Sequence, residues 1–499
     1  MTKYILTAIL AFTALSCGDF LEPKSQSEFV PKEANALNEM LLGEAYPKPS
    51  GSTSISAYLE IFNDDICCAD TEGTLDDNSI SFESGYEALF GWQPSMFITM
   101  EGLGMMPINI WESTYEFILG ANAALDYIDG VTGTAEEKAY VKAQAYALRA
   151  FYYFLLVNTY GMPYNYDKTS LGVPLKLTSA LENKFLKRNT VDEVYQQIFQ
   201  DLDNAEDLYL TLPREKQYQP DGKTSLPMVQ LLKSRVYLYT ENWTEAQRYA
   251  QKVIDEWGFS LTDLRTLPAS STAQPYYNFI KMDSPDCIWV YGSIADISYY
   301  LNLYVTLSDN STQKFFNASP DLLDAFTPGD LRKKHYIVTE YRNDAIYLPL
   351  GKYQIEANHE PGNSNSFGQA FRLAEAYLNA AEAAVMNKQE ALARTLIEEL
   401  RQKRFNEENY TPIDPTLTGD ALLERIRLER RLELCFEGHR WFDLRRYGMP
   451  SFSRDWKKQG VVTKRYTLQQ NDLSYAMPLA PSILEKNPYL EQNQLAPER

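Results

Sequence analysis

The chain has 499 residues, room for about three average domains, and its 67 acidic against 47 basic residues give a formal charge of −20 that three histidines do not offset. So acidic a surface repels nucleic acid and anionic lipid head groups, while 44% hydrophobic residues and 35 tyrosines exclude a disordered acidic chain. Aromatic residues make up 13% of the sequence, an excess that fits ordinary core and also surfaces that stack against flat, partly polar ligands such as sugars.

The first residues read as an export leader. Lys3 supplies the basic start, Tyr4 to Leu15 is uncharged and apolar, and Ala14-Leu15-Ser16 leads into Cys17. The apolar run is too short to span a bilayer, which takes about 20 residues. The pattern predicts a bacterial lipoprotein signal over 1–16, with Cys17 lipidated after cleavage. Ala14 stands where such signals prefer leucine, and ordinary cleavage with secretion is the alternative. Acyl chains contribute about 0.8 kcal/mol per buried CH₂, so the mature body is expected to be soluble and tethered by lipid. Of the remaining cysteines, Cys67 and Cys68 lack metal-ligand spacing. Cys287 and Cys435 sit among apolar neighbours and read as small buried residues. Export permits disulfides, but spacing does not pair them.

Helical patterning dominates the chain beyond the leader. Glu136 to Tyr160 carries Ala143, Ala147, Ala150, Phe151, Phe154 and Leu155 at helical spacing and stops before Gly161 and Pro163. Thr190 with Glu193 predicts a capping box for a helix over Val191 to Leu212, ended by Pro213. Two helix–turn–helix units are expected. One runs Ser225–Tyr239, turns at Glu241-Asn242 and returns over Trp243–Glu256; the other runs Phe371–Met386, turns at Asn387-Lys388 and returns over Gln389–Arg404. Ala246 and Ala250 in the first, and Ala376, Ala380, Ala383 and Ala391 in the second, fall where paired helices would touch. With Tyr237 and Val253, the first approximates the tetratricopeptide repeat, whose units stack into scaffolds rather than supply catalytic groups. Residues 43–111 and 260–370 are instead irregular and aromatic, with Ile288–Tyr291 a short buried strand. Such insertions are where a scaffold carries its function.

Glu424 to Gly448 reads ERIRLERRLELCFEGHRWFDLRRYG. A functional reading makes Glu437, His439 and Asp443 an acid–base site. A structural reading, which the dense alternation of opposite charges favours, has arginines and carboxylates tying the helix end to its neighbours. The segment resembles the signature of the SusD/RagB family of Bacteroidetes outer-membrane lipoproteins through Glu429, Arg430, Glu433, Leu434, Glu437, Gly438, Arg440, Asp443, Leu444, Arg446 and Gly448. Five further stretches agree in order: Cys17 to Leu21; Leu148 to Tyr153 with Tyr160 to Pro163; Pro320 to Phe326 with Asp330 and Arg332; Phe371 to Glu375 through Ala381 to Ala383; and Met477 to Ala480 with Asn487-Pro488 and Gln492-Asn493. The chain departs from the family at Ala480, often proline, and in its last residues, which lack the usual GY.

The resemblance implies a mainly α fold: about four tetratricopeptide-like helix pairs in a right-handed superhelical scaffold, with loop-rich insertions and a few short strands, as one domain over 17–499. It implies a non-enzymatic, cell-surface glycan-binding lipoprotein that passes its catch to a SusC-like TonB-dependent transporter in the outer membrane; no cofactor and no metal-ligating residues are expected, and whether a metal assists binding stays open. A sugar site needs aromatic planes beside hydrogen-bonding groups. The insertions offer Tyr86, Phe90 and Trp92 with Glu83 and Gln93, then Tyr276, Tyr277, Asn278, Tyr299, Tyr300, Asn302 and Tyr304, followed by Asp309 and Asn310. From these, Trp92, Tyr86, Tyr276, Tyr277, Asn278, Tyr299, Tyr300 and Asn302 are the candidate ligand contacts, with core packing the competing role for each aromatic. Trp289, Trp243 and Trp441 read as core or scaffold. Three other functions remain open: peptide rather than glycan cargo; a helical carbohydrate-active enzyme, needing two carboxylates about 5–9.5 Å apart, for which no motif argues; and a scaffold without ligand.

Overall fold

The computed structural model describes residues 31–47, 59–69, 73–105, 110–181, 185–268, 281–293, 304–340, 343–348, 350–352 and 367–499; Cys17 lies outside them. Among the described residues, the helices of seven or more residues are α1 Ala34–Glu44, α2 Asp77–Phe90, α3 Met96–Gly102, α4 Ile110–Tyr127, α5 Ala135–Tyr160, α6 Val191–Leu210, α7 Leu226–Tyr239, α8 Trp243–Glu256, α9 Leu373–Met386, α10 Glu390–Gln402, α11 Gly419–Leu434 and α12 Arg440–Arg446. Strands β1 Ile66–Cys68, β2 Cys287–Ser293, β3 Tyr304–Thr306, β4 Thr312–Lys314, β5 Phe316–Ala318, β6 Val338–Glu340, β7 Asn343–Leu348, β8 Phe367–Arg372, β9 Phe452–Lys458 and β10 Val461–Leu468 pair antiparallel as β1/β5, β2/β8, β3/β4, β6/β7 and β9/β10.

Capping chemistry sets the helix starts. The expected Thr190–Glu193 box is formed, and Thr134 makes a second with Glu137 that fixes the start of α5. In each box the hydroxyl and carboxylate satisfy donors that a helix N-terminus leaves unpaired. Both predicted helical hairpins are present. Their turns share one geometry: Glu241 and Lys388 adopt left-handed backbone (φ 59° and 62°), and the next amide reaches five residues back, from Asn242 to Tyr237 and from Gln389 to Ala384. The second hairpin starts later than expected because Phe371 and Arg372 complete β8, paired with Trp289 and Cys287 of β2. Ala391 is exposed, and Ala393 provides the small buried contact instead.

The helices pack in sequence: α4 on α5, α5 on α6, α7 on α8, α8 on α9 and α9 on α10, with α11 against α9, a stack of tetratricopeptide-type antiparallel pairs. Helix α7 is enclosed on nearly every side, so its charges need partners. Arg235 makes a bidentate pair with Glu375 of α9 (2.6 and 2.6 Å), and Lys233 pairs with Glu206 of α6. Arg149 of α5 clamps Asp201 of α6 (2.8 and 2.7 Å), and Arg446 of α12 clamps Glu382 of α9 (2.7 and 2.7 Å). Planar guanidinium–carboxylate forks give such contacts direction as well as strength. Cys68, Cys287 and Cys435 are buried free thiols, and Cys67 is partly exposed. Among the described residues no helix is long and apolar enough to cross a membrane.

Candidate functional site

The two irregular insertions meet. Strand β1 of the first pairs with β5 of the second, Ile66 opposite Ala318 and Cys68 opposite Phe316. The amide of Ala69 donates to Phe315 O (2.9 Å) and that of Ser319 to Asp65 O (2.8 Å). The β3–β4 hairpin sits at the start of α2: the Asp76 amide donates to Thr306 O (3.0 Å), and the Thr306 amide donates to the Ser79 hydroxyl (2.9 Å). Asp309 and Asn310 form the tip of that hairpin, where the Asp309 carboxylate accepts from the Ser311 amide (2.9 Å) and Asn310 takes a φ of 65°. They are turn-forming residues.

Two proposed ligand contacts are structural in this arrangement. Tyr86 is buried, its ring 5.8 Å from that of Phe315 and 6.2 Å edge-on to Phe316, so it joins the insertions rather than facing outward. Trp92 is 0% exposed. Its indole N–H donates to Phe62 O (3.0 Å), Phe452 meets its ring edge-on at 5.1 Å, and the Arg454 guanidinium lies 4.1 Å from the ring centroid. No face of that ring is open to a sugar. The reason lies far along the chain: β9 brings Arg454 and Trp456 under α2, and Trp456 packs against Phe90 (5.3 Å) and Phe315 (5.2 Å). Gln93 is also buried, its side-chain carbonyl accepting from the Arg499 amide (2.9 Å).

Tyr276, Tyr277 and Asn278, and likewise Tyr299, Tyr300 and Asn302, lie outside the described residues. The second of these groups falls between β2 and β3, whose described ends are tied to the core and to α2 respectively. What the described part of this unit presents outward is Ile80 and Phe82 on α2, Ile98 on α3 and Leu103 just after it. Phe82 gives no signal in the sequence: it stands four residues before the buried Tyr86, where helical period puts both on nearly the same side of α2, so spacing alone does not announce its exposure.

The acid–base reading of Glu437, His439 and Asp443 fails on burial and pairing. Glu437 accepts from Arg372 (Nε 2.9 Å, Nη2 2.6 Å) and pairs with Lys352. Asp443 is shared by Arg430 and Arg446, each at 2.8 Å. Burial first, then the surrounding positive charges of Arg235, Arg430, Arg372 and Lys352, push the His439 imidazole well below its ordinary pKa, so it is neutral. Behind them, Glu433 takes the Arg404 fork (2.8 and 2.9 Å), Arg372 (2.9 Å) and the Tyr336 hydroxyl (3.1 Å). Among the described residues no cluster of His, Cys, Asp and Glu is arranged to hold a metal ion.

Two family models match. The SusD family covers residues 331–495, and the family described as starch-binding associating with outer membrane covers residues 19–238. The chain is SusD-like. Among its SusD-like relatives, protein P38 of Formosa agariphila is 26% identical over 77% of this chain and 78% of its own. A SusD superfamily protein from Bacteroides thetaiotaomicron has the same fold with a TM-score of 0.70 at 20% identity, covering 93% of this chain and all of its own. Surface glycan-binding protein A from Bacteroides uniformis gives 0.64 at 20% identity over 92% and 99%. The SusD match over 331–495 contains Glu433, Glu437, Asp443 and Arg446, and each of these side chains lies in the buried ion network.

Proposed function

We propose that this SusD-like protein is a glycan-binding protein of the cell surface, held on the outer membrane by lipid at Cys17. It captures oligosaccharides without transforming them and delivers them to a SusC-like TonB-dependent transporter. The carrying observation is the pair of family matches, one of them described as starch-binding and outer-membrane-associated. Two further facts support it. The one acid–base constellation that the sequence offered is locked in ion pairs, and the two insertions join through β1 and β5 into one irregular unit with exposed apolar side chains, the kind of surface on which aromatic side chains meet sugar rings. Its ligand contacts are proposed to come from Tyr276, Tyr277, Asn278, Tyr299, Tyr300 and Asn302, and from the exposed Phe82.

Calorimetric titration of the mature protein with maltoheptaose, cellohexaose, xylohexaose and a mixed peptide pool tests this reading. Glycan binding without product release supports it. Binding of peptides alone changes the cargo, and glycan cleavage overturns the non-enzymatic role. In cells, Cys17→Ala should move the protein from the membrane fraction to the soluble one; retention on the membrane refutes the lipid anchor.

A further inference from the structure

An aromatic pocket lies on the helical scaffold. It has a volume of about 280 Å³ and sits where α4, the segment after Pro174 and the helical turn Pro481–Lys486 converge. Trp111 and Tyr115 of α4 line it together with Phe185, Leu186, Ile483 and Leu490. Polar contacts fix each part: the Tyr115 hydroxyl donates to Pro174 O (2.6 Å), and the Asn487 side-chain Nδ2 donates to Leu186 O (2.9 Å). Phe185 of this lining stacks on Tyr489, next to the lining residues Asn487 and Leu490 in sequence, with centroids 5.8 Å apart, and these rings are 55% and 54% exposed. Lys486 and Glu112 pair across the rim, and both are well exposed.

Nothing in folding accounts for that combination. Two aromatic rings left half in water forgo burial worth about 1.5–3 kcal/mol for a large side chain, and an exposed ion pair contributes about 0–1 kcal/mol. A ligand accounts for both. Ring faces accept the apolar C–H face of a pyranose, and a paired ammonium and carboxylate offer donors and acceptors to adjacent hydroxyls. The opposite charges at the rim balance, which suits an uncharged ligand, and the volume fits a single sugar ring rather than a long chain. Walls tied by hydrogen bonds need little rearrangement to bind. We infer that this pocket is a second, scaffold-borne carbohydrate subsite, taking one unit of a neutral oligosaccharide apart from the insertion site. The inference rests on the glycan-binding reading above.

The test is titration of the mature wild type and of the double variant Phe185→Ala/Tyr489→Ala with maltoheptaose, cellohexaose and xylohexaose, alongside thermal unfolding without sugar. Because both rings are exposed, the variant should melt with the wild type. For a glycan that the wild type binds, stoichiometry should fall from two to one, or affinity at the weaker site should drop at least tenfold. A variant that titrates like the wild type overturns this subsite alone. A wild type that binds none of the glycans overturns the functional reading and the subsite together.

Discussion

Replacing Glu433 by leucine tests whether the family signature is structural. The carboxylate is fully buried. Burial pushes its pKa up, but the guanidinium groups of Arg404, then Arg372, outweigh that and hold it well below the usual carboxylate range. Without it, Arg372 keeps Glu437, whereas Arg404 keeps only the Thr262 carbonyl (2.6 Å). One buried guanidinium is thus stranded, and breaking a buried pair this way costs about 3–5 kcal/mol. With an unfolding entropy of about 2.1 cal/mol/K per residue, a chain of 499 residues has a slope near 1 kcal/mol/K, so Tm should fall by roughly 3–5 °C. Calorimetry of Glu433→Leu, Arg404→Leu and the double variant provides the assay. The double variant should lose less than the sum of the singles, because it removes the stranded charge together with its partner. A single-variant shift under about 1 °C, or strict additivity, refutes the reasoning. The pH dependence has a fixed sign. A depressed carboxyl stabilises the fold above its unfolded pKa of about 4.3, and that contribution is lost as pH falls below it.

Glu60 should show the opposite sign. Burial pushes its carboxyl up to about 7, against the hydrogen bonds from the Gly438 amide and the Asn63 side chain (both 2.8 Å). Between about pH 4.5 and 7 the folded state therefore holds a proton that the unfolded chain has released, and stability declines as pH rises, by up to about 3 kcal/mol. Urea midpoints at pH 5 and pH 8 should differ less in Glu60→Gln than in the wild type, and an equal difference in both would contradict the assignment. Trp92→Ala should destabilise by about 3–5 kcal/mol, as large aromatic deletions in cores do, while leaving glycan affinity of the folded protein within about twofold; weaker binding at unchanged stability would return the ring to the ligand site.

The scaffold was legible because its signals are local. Capping boxes at Thr190, small residues at Ala246, Ala250, Ala376 and Ala380, and turn residues at Glu241 and Lys388 act within a few positions, and the chain must satisfy them wherever it lies. The ion pairs were half legible. Alternating charge over 424–448 announced a network, but its outer partners, Lys352, Arg372, Arg404 and Glu382, are distant in sequence and enter through packing alone. The binding surface was least legible, for a physical reason. An aromatic residue in an irregular segment gains about as much by burial as by exposure to a ligand, and which occurs depends on what arrives from elsewhere. Trp92 lost its open faces to Phe452 and Arg454, some 360 residues later in the sequence. Phe185 and Tyr489 met no such neighbour and stayed half in water. Neither stands in a motif; the exposed pair forms only because the Asn487 side-chain Nδ2 binds Leu186 O and so brings the C-terminal turn against the loop after Pro174. Composition could therefore say that sugar-compatible rings were present in excess, and tertiary contacts alone could sort the rings that hold the protein together from those left free to hold something else.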